Sequence, residues 1–138
     1  MLYKVIDKLI NPFLTKPGDA GLDMYSTEDT WIFPFIPRKV KLNIAIELPE
    51  QTFGLMTSRS GFSLKGNFVI PGIIDETFRG QVSATMVRFN ILPKKIKKGT
   101  RVAQLIIIPY LKPQMEKTEK ELSETERGDK GYGHTGVA

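Results

Sequence analysis

The stretch Arg38-Lys-Val40-Lys-Leu42-Asn-Ile44-Ala-Ile46-Glu47 decides the fold class. Val40, Leu42, Ile44 and Ile46 recur at every second position, and Lys39, Lys41, Asn43 and Glu47 alternate with them, with Ala45 neutral between. A period of two sends successive side chains to opposite faces, so this reads as a half-buried strand with the lysines and Asn43 outward. Working outward, Tyr3–Asp7, Trp31–Phe35, Thr52–Thr57, Gln81–Val87 and Arg101–Ile108 are further strands, rich in β-branched or aromatic residues. Turn signals separate them: Lys16-Pro17-Gly18-Asp19, Pro34 and Pro37, Pro49, Pro71-Gly72 and Lys98-Gly99. No stretch of ten or more residues before position 112 carries a helical apolar stripe. Short strands with frequent turns imply an all-β barrel or sandwich.

The chain has 138 residues, of which 41% are apolar, enough for one domain with a core of its own. It has no cysteine and a single histidine, His134. Disulfide frameworks, thiolate zinc sites and cysteine nucleophiles are thereby excluded. A Ser-His-Asp triad would have to use His134, four residues from the C-terminus. The net charge of +5 suits an anionic partner. No targeting signal is evident, and the longest apolar run, Leu105–Leu111, is too short to span a bilayer and contains Pro109. The chain reads as soluble and intracellular (cytoplasm or nucleus), with no membrane partner. Charge is uneven along it. Between Thr77 and Met115 there are eight basic residues and no acid, whereas Glu116–Lys130 holds six acids and four basic residues. Residues 1–115 are expected to form a β-barrel domain. Residues 116–138, poor in apolar residues and rich in glycine, are expected to form an extended C-terminal arm.

Five segments carry chemistry, and each also admits a plainer reading. In Gly72-Ile-Ile-Asp75-Glu76-Thr-Phe78-Arg-Gly80, a carboxylate at a strand end suits a water-activating base, and equally an acidic turn. In Thr57-Ser58-Arg59-Ser60-Gly61, hydroxyls, backbone N–H groups and a guanidinium suit phosphate oxygens, or simply end a strand and start a short helix. Ala20-Gly-Leu-Asp23-Met-Tyr opens a strand with one carboxylate. In Gly99-Thr-Arg-Val-Ala-Gln104-Leu a lone amide sits within an apolar strand and needs a partner, in the core or on a ligand. Arg127-Gly-Asp-Lys-Gly-Tyr132-Gly133-His134-Thr135-Gly136 lacks the phosphate-loop spacing, but could close a cation, a ring and a hydroxyl over an anionic ligand. The basic run Lys94–Lys98 has no interleaved aromatic residues, so no nucleic-acid partner is expected.

Taken together and in order, these segments resemble the five motifs of the trimeric dUTPases (deoxyuridine triphosphate nucleotidohydrolases): AGLDMYS (20–26), SRSG (58–61), GIIDETFRG (72–80), GTRVAQLII (99–107) and RGDKGYGHTG (127–136). The resemblance covers almost the whole chain. It implies a β-clip, or distorted jelly-roll, fold in a homotrimer whose active sites are shared between subunits. It implies hydrolysis of dUTP to dUMP and pyrophosphate with Mg²⁺ on the triphosphate. Carried over by motif, Asp75 is the general base. Asp23 and Gln104 hold the metal through water and, for Gln104, the phosphates; Arg59, Ser60 and Gly61 bind phosphate. Val69, Gly72, Ile73 and Ile74, with Ser83 on the returning strand, read the uracil edge through the backbone. Phe78 underlies the deoxyribose. Arg127 and Thr135 reach the terminal phosphate, and Tyr132, beside Gly133, stacks on the base. Four positions depart from the family pattern: Phe78 for Tyr, Tyr132 for Phe, His134 for a phosphate-binding Ser, and Ser58 for Pro. His134 is either a pH-sensitive cationic contact or a tolerated replacement. A related fold, that of dCTP deaminase, needs a glutamate on the strand after Gly80, and the acid-free span after Thr77 offers none. The remaining alternatives are a non-catalytic regulatory trimer that binds nucleotides and, on net charge and the lysine run alone, a single-stranded nucleic-acid binder.

Overall fold

The computed structural model describes residues 1–132 and 135. Strand β5 (Arg38–Glu47) is the stretch read above, and its Val40, Leu42, Ile44 and Ile46 are buried. It lies in a four-stranded antiparallel sheet with β1 (Leu2–Val5), β9 (Gln81–Arg88) and β7 (Asn67–Ile70), in the order β1-β5-β9-β7. A five-stranded antiparallel sheet combines β2 (Phe13–Leu14), β3 (Leu22–Tyr25), β11 (Arg101–Pro109), β6 (Thr52–Ser58) and β8 (Gly72–Ile74), in the order β2-β3-β11-β6-β8. A short ribbon of β4 (Thr30–Ile32) and β10 (Lys94–Ile96) completes the strands, and one helical turn, α1 (Ser60–Ser63), follows β6. The core lies between the two large sheets. Leu42, Ile44, Val82 and Met86 from one face meet Met24, Met56 and Leu105 from the other. Burying each such side chain stabilises the fold by about 2 kcal/mol, which accounts for the strict alternation in β5 and β9. The all-β expectation holds.

Asn43 departs from its expected outward place. It is fully buried. Its amide donates to the carbonyls of Asp7 (3.0 Å) and Ile10 (2.7 Å), and its Oδ1 accepts the Asp7 N–H at 2.7 Å. The N-terminal segment crosses this face of β5, and Asn43 satisfies its turn. The same turn ends β1 at Val5, two residues before the expected Asp7. β4 likewise stops at Ile32, since Phe35 beyond it adopts a positive φ of 60° that no strand residue holds. Residues 112–132 contain neither strand nor helix and are exposed.

Candidate active site

Two clusters of site residues form, one at each end of β6. The first arises where the chain leaves one sheet for the other. β7 ends at Ile70, and Pro71, which has no N–H to offer a ladder, carries the backbone across to β8. β7 and β8 are outermost strands of their sheets, so a gap opens between β8 and the start of β9. Ile73, Ile74, Asp75, Phe78, Val82 and Ser83 line a cavity of about 190 Å³ there. An outermost strand keeps one row of N–H and C=O groups unpaired, which suits reading the edge of a planar base. Asp75 follows β8 directly, is exposed at the mouth, and opens a turn closed by Phe78 N–H on the Asp75 carbonyl at 3.0 Å. The Phe78 ring folds over Gly80: a Cβ there would lie 2.7 Å from the ring.

A second and larger cavity, about 550 Å³, opens on the other side of Asp75, with Phe53, Glu76, Tyr110 and Lys112 in its wall. Glu76 accepts the Gln51 N–H at 2.5 Å. Its carboxylate is the chief cause holding the Tyr110 phenol above its ordinary pKa, and Tyr110 N–H donates to the Gln51 carbonyl at 3.0 Å. The turn bearing Asp75 is thus tied to the end of β11, where the arm begins.

The other cluster joins the remaining segments. Register places Gln104 of β11 opposite Asp23 of β3 and Thr57 of β6. One carboxylate oxygen of Asp23, Oδ2, accepts from Arg59 Nη2 at 2.8 Å and from Arg101 Nη1 at 3.1 Å. Arg59 also donates to the Arg101 carbonyl at 3.0 Å, and Gln104 Nε2 to the Ser58 carbonyl at 2.8 Å. Gln104 Oε1 packs over Gly21, where a Cβ would lie 2.6 Å away. Ser60 and Gly61 are exposed at the start of α1, behind Arg59. Two guanidinium groups meet on one carboxylate, with an amide opposite it in register and a helical turn following Arg59, an arrangement that suits a polyphosphate. Arg101 is the residue of this cluster that the sequence reading missed. The strand alternation that put Arg101 near Asp23 was legible only once β3 and β11 were paired.

Val69 stands apart from the pocket. Its side chain is buried, and its N–H and C=O bond the Ser58 hydroxyl at 2.8 and 3.3 Å. Ser58, where the family pattern has Pro, therefore ties β6 to β7. Arg127 donates to the carbonyls of Lys130 and Gly131, both 2.9 Å, and Tyr132 and Thr135 are exposed on the arm. Among the described residues none of the three bonds to either cluster. Gly133 and His134 lie outside the described residues.

The dUTPase family model matches residues 7–136. The chain belongs to the dUTPase family. It is 39% identical over 141 residues to the deoxyuridine 5'-triphosphate nucleotidohydrolase of Clostridium kluyveri, covering 99% of this chain and 98% of that one. The dUTPase of Staphylococcus bacteriophage 80alpha, solved with dUPNHPP, superposes with a TM-score of 0.88 at 28% identity, over 99% of this chain and 98% of that one. A dUTPase from phage phi11 of S. aureus, whose structure is described for its structural Mg(II) ion, superposes with a TM-score of 0.80 over 88% of this chain and 98% of that one. At 24% identity that likeness concerns the fold, the jelly-roll-like arrangement expected of the family. No helix among the described residues is long and apolar enough to cross a membrane.

Among the described residues, no three Asp, Glu or His side chains group closely enough to hold an ion. The cradle offers one carboxylate, already bound to two arginines, and one amide oxygen. That fits a hydrated Mg²⁺, which keeps several waters and takes its other ligands from substrate phosphates.

Proposed function

We propose that the protein hydrolyses dUTP to dUMP and pyrophosphate with Asp75 as the general base. The observation that carries this reading is Asp75 at the mouth of a small pocket, immediately after the strand whose free edge can read a base. The Asp75 carboxylate accepts a proton from a water. The water oxygen bonds to the α-phosphorus as the bond from phosphorus to the α–β bridging oxygen breaks, and pyrophosphate leaves. Phe78 packs under the deoxyribose and leaves no room for a 2′-hydroxyl. The β8 backbone at Gly72, Ile73 and Ile74, with Ser83, pairs with the uracil edge and leaves cytosine mismatched. Arg59, with Arg101 beside it, and the N–H groups of Ser60 and Gly61 bind the phosphates and hold them in line. Bound Mg²⁺ would neutralise phosphate charge and stabilise the leaving pyrophosphate. Asp23 and Gln104 would orient its waters.

We also assign the active form as a homotrimer with shared sites. Ile74 pairs with Gly54, four residues from Ser58. At about 3.3 Å per residue, base and cradle are separated by more than about 13 Å along β6. Another copy must bring a cradle to each base. Arg127, Tyr132 and Thr135 then close over the nucleotide from the extended arm, residues 116–138. The test is pyrophosphate release with Mg²⁺ from dUTP, dCTP, dTTP and UTP. Release from dUTP alone is expected, and equal rates on all four would overturn the assignment. Asp75→Asn should keep dUTP binding and lose at least about a thousandfold in kcat.

A further inference from the structure

Beside α1 lies a further concavity, of about 240 Å³, that the reaction above does not use. Lys65, Lys94, Lys95 and Lys97 line it together with Phe62 and Thr100, and no carboxylate does. Lys95 is paired with Asp29 at 2.7 Å. Lys65, Lys94 and Lys97 form no ion pair among the described residues. The lysines stand on anchored backbone. The Lys65 carbonyl accepts from the buried Arg88, and Phe89 N–H donates to Gly66 at 2.8 Å. The turn from Lys97 to Thr100 is clamped by the buried Ser26, whose hydroxyl donates to the Lys97 carbonyl at 2.9 Å and accepts the Thr100 N–H at 3.2 Å. Ammonium groups gathered this way repel one another, and an anion between them relieves that repulsion. Their field is already felt at Asp29, whose carboxyl is held below its ordinary pKa chiefly by the Lys95 bond, with Lys97 a lesser cause.

Position identifies the anion. Phe62 belongs to α1, which Arg59 opens, and Thr100 directly precedes Arg101. The cleft therefore borders the phosphate cradle through both of its arginine-bearing segments. We propose that this lysine cleft binds condensed phosphates, receiving the triphosphate of incoming substrate and the pyrophosphate that leaves. The assignment rests on the dUTPase reading for its role, although the cleft itself is tested without turnover.

The experiment compares the full chain with a Lys65→Gln/Lys94→Gln/Lys97→Gln variant and with the matching triple Lys→Arg variant. Titration with inorganic pyrophosphate in Mg²⁺ reads the product arm, and kcat/KM for dUTP reads the substrate arm. The Gln variant should bind pyrophosphate more weakly. At low salt its kcat/KM should fall about tenfold, and the difference should close near 0.5 M salt as screening takes over. The Arg variant, which keeps the charge, should restore both. A loss in either arm supports the cleft. Unchanged pyrophosphate affinity together with unchanged kcat/KM and salt slope overturns it. So does a twelve-nucleotide single strand that displaces pyrophosphate at lower concentration, since that marks a nucleic-acid surface. If the parent protein does not turn over dUTP, the function above fails, while the pyrophosphate titration still reads the cleft.

Discussion

Asn43 shows what a single residue can hide. By alternation it belongs with the lysines of β5, yet it is buried and bonds the turn from Asp7 to Asn11. Asn43→Ala would leave the Asp7 N–H and the Ile10 carbonyl without this partner in the interior. We expect a loss of about 2–3 kcal/mol of unfolding free energy, read from urea denaturation, whereas Lys41→Ala on the exposed neighbour should cost under about 0.5 kcal/mol. Asp7 and Asp29 supply a pH dependence. Both carboxyls are held below the ordinary value, Asp7 chiefly by Lys98 and Asp29 chiefly by Lys95. A lowered folded pKa means stabilisation that is complete above the unfolded value of 3.8 and is lost as pH falls through the folded one. The denaturation midpoint should therefore drop below pH 4, and the Asp7→Asn/Asp29→Asn variant should show a shallower drop over the same range. An identical acid limb in both proteins would remove these two groups from the account.

Among elements, β6 and the arm matter most. β6 carries the phosphate segment at one end and pairs near the other with the strand leading to Asp75, so it separates the two halves of the site. Among the described residues the arm from 112 to 132 is exposed, and Arg127 there bonds the carbonyls of Lys130 and Gly131. Removing residues 127–138 should change the unfolding free energy by less than about 0.5 kcal/mol while abolishing most dUTP turnover. Normal turnover by the truncated protein would show that these residues are only a tail. Much of the element map was readable from residues, since the apolar residues of β5 and β9 recur at every second position and leave little choice of face, while β6 and β11 are rich in strand-forming apolar residues. The short strands were less legible. β2 has two residues, and β4 ends at Ile32, short of the expected Phe35, where the turn signal of Pro34 outweighs the aromatic residues on either side of it.

For the whole molecule, the separation of Asp75 from the Asp23–Arg59–Gln104 cradle has a direct consequence. A 1:1 mixture of Asp75→Asn and Arg59→Ala chains, refolded together, should regain activity that neither variant has alone. Random assembly would leave about a quarter of shared sites with an intact base and an intact cradle. No recovery, with mixed oligomers demonstrated by mass, would place each site within one chain.

By itself the sequence determined the all-β class, the exclusion of cysteine and metal-cluster chemistry, and the five motifs by which the family is recognised. These properties are local: alternation, composition and short runs of fixed residue types. Only the tertiary structure decided that Arg101 joins Asp23, that Val69 turns inward, that Asn43 is a core residue and that Lys65, after α1, shares a cleft with Lys94 and Lys97 at the two ends of β10. Each of these depends on strand register and on which segment crosses which face. Register is set by pairings between residues far apart in the chain, and a one-residue slip would send every side chain to the other side.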